Sequence, residues 1–287
     1  MIIAVSGSNG FIGEKIVSKL INDNCELIPI DTSDGIDLTD LTSLDQVKKF
    51  DVMVHLAGLS FVPDSFKDPQ KFYQINFLTT LNALELCRIN GAKMVFISSY
   101  VYGKPQYLPI DENHPVVANN PYAQTKIIGE KLCEGYHRDF DVPVIILRPF
   151  NIFGRGQNEK FLISTILAQI TSGKSEIFLI NPNPKRDYIH VYDAVSAIEL
   201  AVVDKTISFG VFNVCSNSSY SVKEITEIIK SKLKRSIDFT FDLTKDRKSD
   251  IEDTRGSYEK IKKELGWEPG YSFEQGITKD MQELELI

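Results

Sequence analysis

Tyr122 and Lys126 stand four residues apart just after Asn120-Pro121, and Ser98-Ser99 closes an apolar run a short way upstream. On a helix that spacing places a phenol and an ammonium on one face. A positive charge near a phenol favours the phenolate, so such a tyrosine can exchange a proton with an alcohol oxygen near neutral pH. A serine hydroxyl at a strand end can hold the same oxygen by a hydrogen bond. By itself Tyr-x-x-x-Lys fits an ordinary exposed helical pair better. The rest of the chain reverses that weighting.

These residues need a frame to hold them. Met1 to Ser6 (MIIAVS) is a short β-branched run suited to a strand buried on both faces. Gly7, Gly10 and Gly13 follow, and Ile16, Val17 and Leu20 continue at helical spacing. A strand, a glycine turn and a helix start together make an anion site, because free N–H groups at the helix N-terminus face a bound phosphate. The spacing is Gly-x-x-Gly-x-x-Gly, whereas dinucleotide folds commonly carry Gly-x-Gly-x-x-Gly. A second apolar run, Glu26 to Ile30, ends in Asp31. A carboxylate there accepts hydrogen bonds from both hydroxyls of an adenosine ribose and repels a 2′-phosphate. No arginine or lysine lies between Asp31 and Gln46 to hold such a phosphate, so NAD(H) is expected in preference to NADP(H), with NADP(H) still open. The loop Asp37-Leu38 and the strand end Leu56-Ala57-Gly58 fit the next approaches to the adenosine. His55, inside an apolar run, reads as a core histidine.

Together these segments resemble the extended short-chain dehydrogenase/reductases, the family of nucleotide-sugar epimerases, dehydratases and ketoreductases. The resemblance covers nearly the whole chain. It rests on GSNGFIG at Gly7–Gly13, HLAG at His55–Gly58, Asn76 within INFLTTLNALEL, ISSYVYG at Ile97–Gly103 and NPYAQTK at Asn120–Lys126. Further on come RPFNIFGRGQ at Arg148–Gln157, RDYIHVYD at Arg186–Asp193, FNV at Phe212–Val214 and LGWEP at Leu265–Pro269. The resemblance implies a cofactor site built from Gly7, Asn9, Gly10, Phe11, Ile12, Gly13, Asp31, Asp37, Leu38, Leu56, Ala57, Gly58, Asn76, Tyr122 and Lys126. It implies Tyr122 as the acid/base residue, with Lys126 lowering its pKa and binding the nicotinamide ribose. In that family the hydroxyl residue lies three positions before the valine of Val-Tyr-Gly, which selects Ser98 over Ser99. Arg155 stands where the family often has proline.

Strands alternate with helical stretches up to about Pro149, which predicts an α/β, doubly wound parallel Rossmann sheet with chemistry at the strand carboxyl ends. Strand cores are expected at Ile2–Val5, Leu27–Ile30, Val52–Leu56, Met94–Ile97 and Val144–Leu147, with long helices over Asp68–Asn90 and Pro121–Asp139. Asn120 would cap the second, with Pro121 at its first position. Later helices are expected at Phe161–Ser172, Val191–Val203, Val222–Leu233 and Tyr258–Leu265, with a strand at Val211–Val214 rejoining the sheet. The dinucleotide domain is then 1–150 plus about 191–214. A smaller, discontinuous C-terminal substrate lobe takes about 151–190 and 215–287.

At 287 residues and 43% hydrophobic the chain can bury a full core. It opens without a secretory pattern, and no apolar stretch nears the ~20 residues that cross a bilayer. Cys25, Cys87, Cys133 and Cys215 are scattered and read as buried thiols of a cytoplasmic protein, with no metal expected. The net charge of −7, without clustered lysines and aromatics, argues against nucleic acid.

A nucleotide-diphosphate sugar needs guanidinium groups for its pyrophosphate. By resemblance Arg186 and Arg247 face it, Asn151 hydrogen-bonds the same part, and Ser98 and Ser99 meet the sugar. A homodimer is the expected assembly. A 4,6-dehydratase needs an acidic pair beside the hydroxyl residue, where this chain has Ser99 and Tyr100. The expected activity is reduction at C4 of a nucleotide-linked 4-keto-6-deoxy sugar. The alternative is an NAD-dependent 4-epimerase like UDP-glucose 4-epimerase. Between Asp31 and Asp37 lie only five residues, too few for an arm wrapping the adenosine, which favours an exchanging cofactor and the reductase. A non-catalytic NAD-binding sensor or scaffold is a further class, disfavoured by the intact Ser-Tyr-Lys set.

Overall fold

The computed structural model describes residues 1–23, 25–242 and 251–287. In the first half the chain runs β1 (Ile2–Ser6), α1 (Phe11–Asn22), β2 (Glu26–Ile30), α2 (Leu41–Leu44), β3 (Val52–His55), α3 (Val62–Lys67), α4 (Pro69–Asn90), β4 (Lys93–Ile97), α5 (Pro121–Phe140) and β5 (Val144–Pro149). It continues through β6 (Asn151–Phe153), α6 (Leu162–Thr171), β7 (Glu176–Ile180), β8 (Lys185–His190), α7 (Val191–Val203) and β9 (Phe209–Val214). Last come β10 (Ser219–Ser221), α8 (Val222–Lys232), β11 (Asp238–Asp242), β12 (Asp253–Thr254), α9 (Glu259–Leu265) and α10 (Phe273–Glu283).

Six strands form a parallel sheet in the order β2-β1-β3-β4-β5-β9. Their near-continuous apolar runs suit strands covered on both faces. Ile3, Val5, Val54, Val95, Ile145 and Phe212 pack with α1 and α7 on one side. Ala4, Met53, Met94, Phe96, Val144 and Ile146 pack against α4 and α5 on the other. The side chain of Asp68 accepts from Lys71 N to start α4, and Gly91 closes that helix in the left-handed conformation at φ 64°. Asn120 Oδ1 accepts from Ala123 N at 2.8 Å with Pro121 at the first helical position, so Tyr122 always falls in the first turn of α5.

The second core joins α6, α8 and α10 through Ile166, Ile170, Ile229, Phe273 and Ile277. Around it stand the short strands of the C-terminal half. β8 is flanked by β6, β10 and β12, and β7 pairs with β11. β6, β8, β10, β11, β12, α2, α3 and α10 were absent from the sequence expectation. β11 alternates over Asp238-Phe239-Thr240-Phe241-Asp242, but the other strands are brief or polar, as in Lys185-Arg186-Asp187, and carry little alternation. Among the described residues no helix is long and apolar enough to cross a membrane.

Candidate active site

The strand ends set the site. β1, β2, β3 and β4 stop at Ser6, Ile30, His55 and Ile97, so Gly7, Asp31, Leu56 and Ser98 all emerge at the same carboxyl edge. Gly7 adopts φ +70°, and a Cβ there would stand 2.9 Å from Ala57 N. A Cβ on Gly13 would meet the Gly7 carbonyl oxygen at 2.0 Å. The turn therefore closes only with glycine at both positions. Helix α1 begins at Phe11 with no side-chain cap on Gly10, leaving the first-turn amides open to an anion. Ser8 Oγ is buried without a partner among the described residues. An orphaned donor beside an uncapped helix start fits a dinucleotide pyrophosphate.

Asp31 is tied into this end of the cradle. Its carboxylate accepts from Ser33 N at 3.1 Å, Ser33 Oγ at 2.8 Å and Asn9 N at 3.4 Å. Asn9 Nδ2 donates in turn to Ser33 Oγ at 2.7 Å and Asp34 Oδ2 at 3.1 Å, linking the glycine loop to a short 3₁₀ turn over Thr32–Asp34. Asp37 caps its own loop through Thr39, and Leu38 is buried in the core with its carbonyl held by Asn82. Leu56, Ala57 and Gly58 form the turn after β3, and Gly58 lies against the Asn76 amide. Asn76 accepts from Leu59 N at 2.8 Å and donates to Thr125 Oγ1 at 2.8 Å, which fixes that turn to α5. His55 is a core residue, held between Ser6 Oγ and Thr80 Oγ1 and pushed down to about 3 by burial.

Tyr122 and Lys126 share one face of α5. The Ser99 side chain stands beside the Tyr122 hydroxyl at the cleft wall and lowers the phenol's pKa. Ser98 does not face the cleft: its Oγ donates to buried Glu130 Oε1 at 2.5 Å, and the residue is 2% exposed. This corrects the choice made by counting back from Val101. Consecutive residues of an extended chain point to opposite sides, and the Glu130 carboxylate takes the inward one. Ser99 therefore stands where a sugar oxygen could be held. A second expectation also changes. Burial raises the Tyr122 phenol above its ordinary value, and the Ser99 side chain only partly offsets this. Lys126 Nζ donates to the Ile97 carbonyl oxygen at 2.8 Å and lies 5.1 Å from the Phe96 ring centroid. Burial lowers its ammonium to about 8.

Tyr122 and Ser99 open onto a cleft of about 600 Å³ whose lining includes Tyr100, Asn151, Arg186, Thr254 and, at its mouth, Phe66. Among the described residues lining it none is Asp or Glu. Asn151 Nδ2 donates to the Asp187 carbonyl oxygen at 2.9 Å, and Arg186 donates to the carbonyls of Lys185 and Ile251. Asp187 itself is buried beneath, accepting from Ser216 and Gly256. Arg247 lies outside the described residues. Arg148 is structural, in a buried bidentate pair with Glu130. Tyr100, read from the sequence only as a residue unable to serve a dehydratase, and Thr254, not read from it at all, both line the cleft. Only the pairing of β12 with β8, which sets Thr254 opposite Arg186, places Thr254 there.

Comparison with known proteins agrees with this geometry. The chain matches the family model described as GDP-mannose 4,6 dehydratase over residues 19–280. A Methanocaldococcus jannaschii protein provisionally named a UDP-glucose 4-epimerase is 33% identical, with 96% of each chain covered. The GDP-6-deoxy-D-mannose reductase of Pseudomonas aeruginosa is 28% identical over 98% of this chain and 96% of its own. The structure of RMD from Pseudomonas aeruginosa complexed with NADPH superimposes with a TM-score of 0.90 at 28% identity, covering 99% and 98% of the two chains. The chain belongs to the extended short-chain dehydrogenase/reductases, in the branch of nucleotide-sugar epimerases, reductases and dehydratases. It is an enzyme of that class.

Proposed function

We propose that the protein is an NADH-dependent reductase of a nucleotide-linked 4-keto-6-deoxy sugar. The observation that supports this reading is that Ser99 and Tyr122 line a cleft free of carboxylates among its described residues, with Lys126 one turn further along α5 and the glycine turn at the same carboxyl edge of the sheet. Gly7 to Gly13 would hold the pyrophosphate of the cofactor, Asp31 its adenosine ribose, and Lys126 its nicotinamide ribose. The structure of RMD from Pseudomonas aeruginosa complexed with NADPH, which superimposes on this chain, supports a nicotinamide in this place. Bound NADH supplies the hydride that reduces C4.

The chain's own residues handle the oxygen. Ser99 hydrogen-bonds the C4 oxygen, and Tyr122 delivers the proton that the new alcohol needs. Burial keeps Tyr122 as a neutral phenol at neutral pH, the acid form this direction requires. Arg186 and Asn151 anchor the pyrophosphate, with Arg247 assigned to the same group by family resemblance. A 4,6-dehydration would need a base at C5 and an acid at C6, and Ser99 and Tyr100 supply neither. The 3₁₀ turn over Thr32–Asp34 closes the loop after β2 within a few residues, favouring a cofactor that exchanges each turnover.

A 4-epimerase is the second reading, favoured by the 33% identity to the archaeal relative. One assay separates the two. Stoichiometric loss of NADH with a nucleotide 4-keto-6-deoxy hexose is expected. Interconversion of two nucleotide hexoses by the purified protein with no added cofactor would replace the reductase with the epimerase. Tyr122→Phe should abolish turnover and leave NADH binding intact, and full activity in that variant would end the role of Tyr122.

A further inference from the structure

A buried ionic network lies directly beneath the Ser99–Tyr122–Lys126 set, and the proton chemistry above leaves it unused. Glu130 follows Lys126 by one helical turn and Tyr122 by two, so the three share one face of α5. Glu130 is 3% exposed. Oε1 accepts from Ser98 Oγ at 2.5 Å and from Arg148 Nε at 2.9 Å, and Oε2 accepts from a second Arg148 nitrogen at 2.6 Å. Arg148 also donates to the Tyr102 hydroxyl at 2.9 Å, which donates onward to Asn213 Oδ1 at 2.5 Å. The network thus joins α5 to β5, to β9 and to the segment after β4.

Two consequences follow for the residues above. Pinning Ser98 inward forces Ser99, the next residue, to project into the cleft toward the phenol. The charges around Lys126 also leave Glu130 with a specific part. On β3, His55 is neutral at any pH near 7, because burial holds it down to about 3. On α5, Tyr122 and Cys133 are both raised by burial and carry no charge there. Arg148 on β5 is spent on Glu130 itself. Glu130, one turn from Lys126 on the same face of α5, is therefore the carboxylate whose charge, shared with Arg148, partly offsets the burial of the Lys126 ammonium.

We propose that Glu130 is a positioning residue for this active site, orienting Ser99 through Ser98 and supplying the counter-charge for Lys126. The inference rests on the reading of Ser99, Tyr122 and Lys126 as the reacting set. Loss of the carboxylate would let Ser98 and Ser99 reorient, and small misplacement of this kind costs rate more than affinity.

The test is Glu130→Gln in the full-length protein, which keeps size and a hydrogen-bond acceptor but removes the charge. The Lys126 ¹³Cε resonance, assigned by its absence in Lys126→Met, is followed against pH. Its midpoint should fall by about one pH unit. With the nucleotide sugar, kcat should fall about 10- to 100-fold with KM nearly unchanged. A midpoint that stays in place, or a wild-type kcat, overturns the proposal. Should Glu130→Gln not yield folded protein, Ser98→Ala decides it: about a tenfold lower kcat at constant KM is expected, and a wild-type kcat overturns it. A wild-type protein that turned over neither a 4-keto sugar nor a nucleotide hexose would sink the functional reading alone, since the lysine titration needs no substrate.

Discussion

Ser98 and Ser99 are adjacent in the chain, yet their hydroxyls serve opposite sides of it. Ser98 Oγ donates to Glu130 in the interior, and the Ser99 side chain meets the Tyr122 phenol at the cleft. The interior partner decides the exterior one: while Glu130 holds the first hydroxyl, the second has only the cleft to face.

Ser99→Ala should therefore impair the reaction even though Ser98 remains. A hydrogen bond to an oxygen that gains charge is worth about 1.5–3 kcal/mol, and that corresponds to roughly a 10- to 150-fold lower kcat. Steady-state kinetics with either candidate substrate measures it. The phenol should also titrate higher, because the Ser99 side chain lowers its pKa. A kcat within twofold of wild type would return the role to another hydroxyl.

Much of this arrangement was legible in the sequence, for physical reasons. The first five strands are apolar runs broken by Gly7, Asp31, Gly58 and Ser98, and the cap Asn120 with Pro121 announces the helix that carries Tyr122 and Lys126. The hydroxyl was misplaced because counting from Val101 ignores where a residue points, and the deciding partner, Glu130, lies 32 residues away. Helix α10 carried a readable signal that went unused: Ser272 and Gln275 form a capping box. The strands β8 and β12 gave none. Their pairing places Arg186 and Thr254 side by side through long-range hydrogen bonds rather than local pattern.

Lys126 should make activity and stability respond to pH in opposite directions. Burial lowers its ammonium to about 8, against ~10.4 in an unfolded chain. Above about pH 8 the folded protein loses the positive charge near Tyr122, so kcat should decline on that side. Between the two values the unfolded chain binds more protons than the folded one, so this residue's contribution to stability rises with pH. Below pH 8 the buried charge is a standing cost. Thermal melts of wild type and Lys126→Met across pH 7 to 10 check the second half, wild type gaining on the variant as pH rises by a few kcal/mol at most, at ~1.4 kcal/mol per pKa unit. A constant difference between the two would contradict the buried, depressed lysine.

Asp31 should govern cofactor choice. Its carboxylate is fixed by Ser33 and the Asn9 amide, so its charge is held in place at the end of β2. A 2′-phosphate approaching it would be repelled. Asp31→Ala removes the repulsion and the ribose acceptor together, so the ratio of kcat/KM for NADH over NADPH should fall about tenfold or more, a tenfold change being ~1.4 kcal/mol. An unchanged ratio would take Asp31 away from the ribose.

Arg186 separates binding from chemistry. One of its guanidinium nitrogens donates to the carbonyls of Lys185 and Ile251, which sets the plane of the group at the cleft wall. A planar fork binds two phosphate oxygens at once, and lysine offers only a point charge. Arg186→Lys should keep the charge and lose the fork, raising KM for the nucleotide sugar about tenfold while kcat stays near wild type, because the pyrophosphate is bound equally in ground and transition states. Titration calorimetry with a nucleoside diphosphate should show the same weakening without any turnover. If KM held steady and kcat dropped instead, Arg186 would be acting on the reacting sugar, and the pyrophosphate would have to lie elsewhere along the cleft.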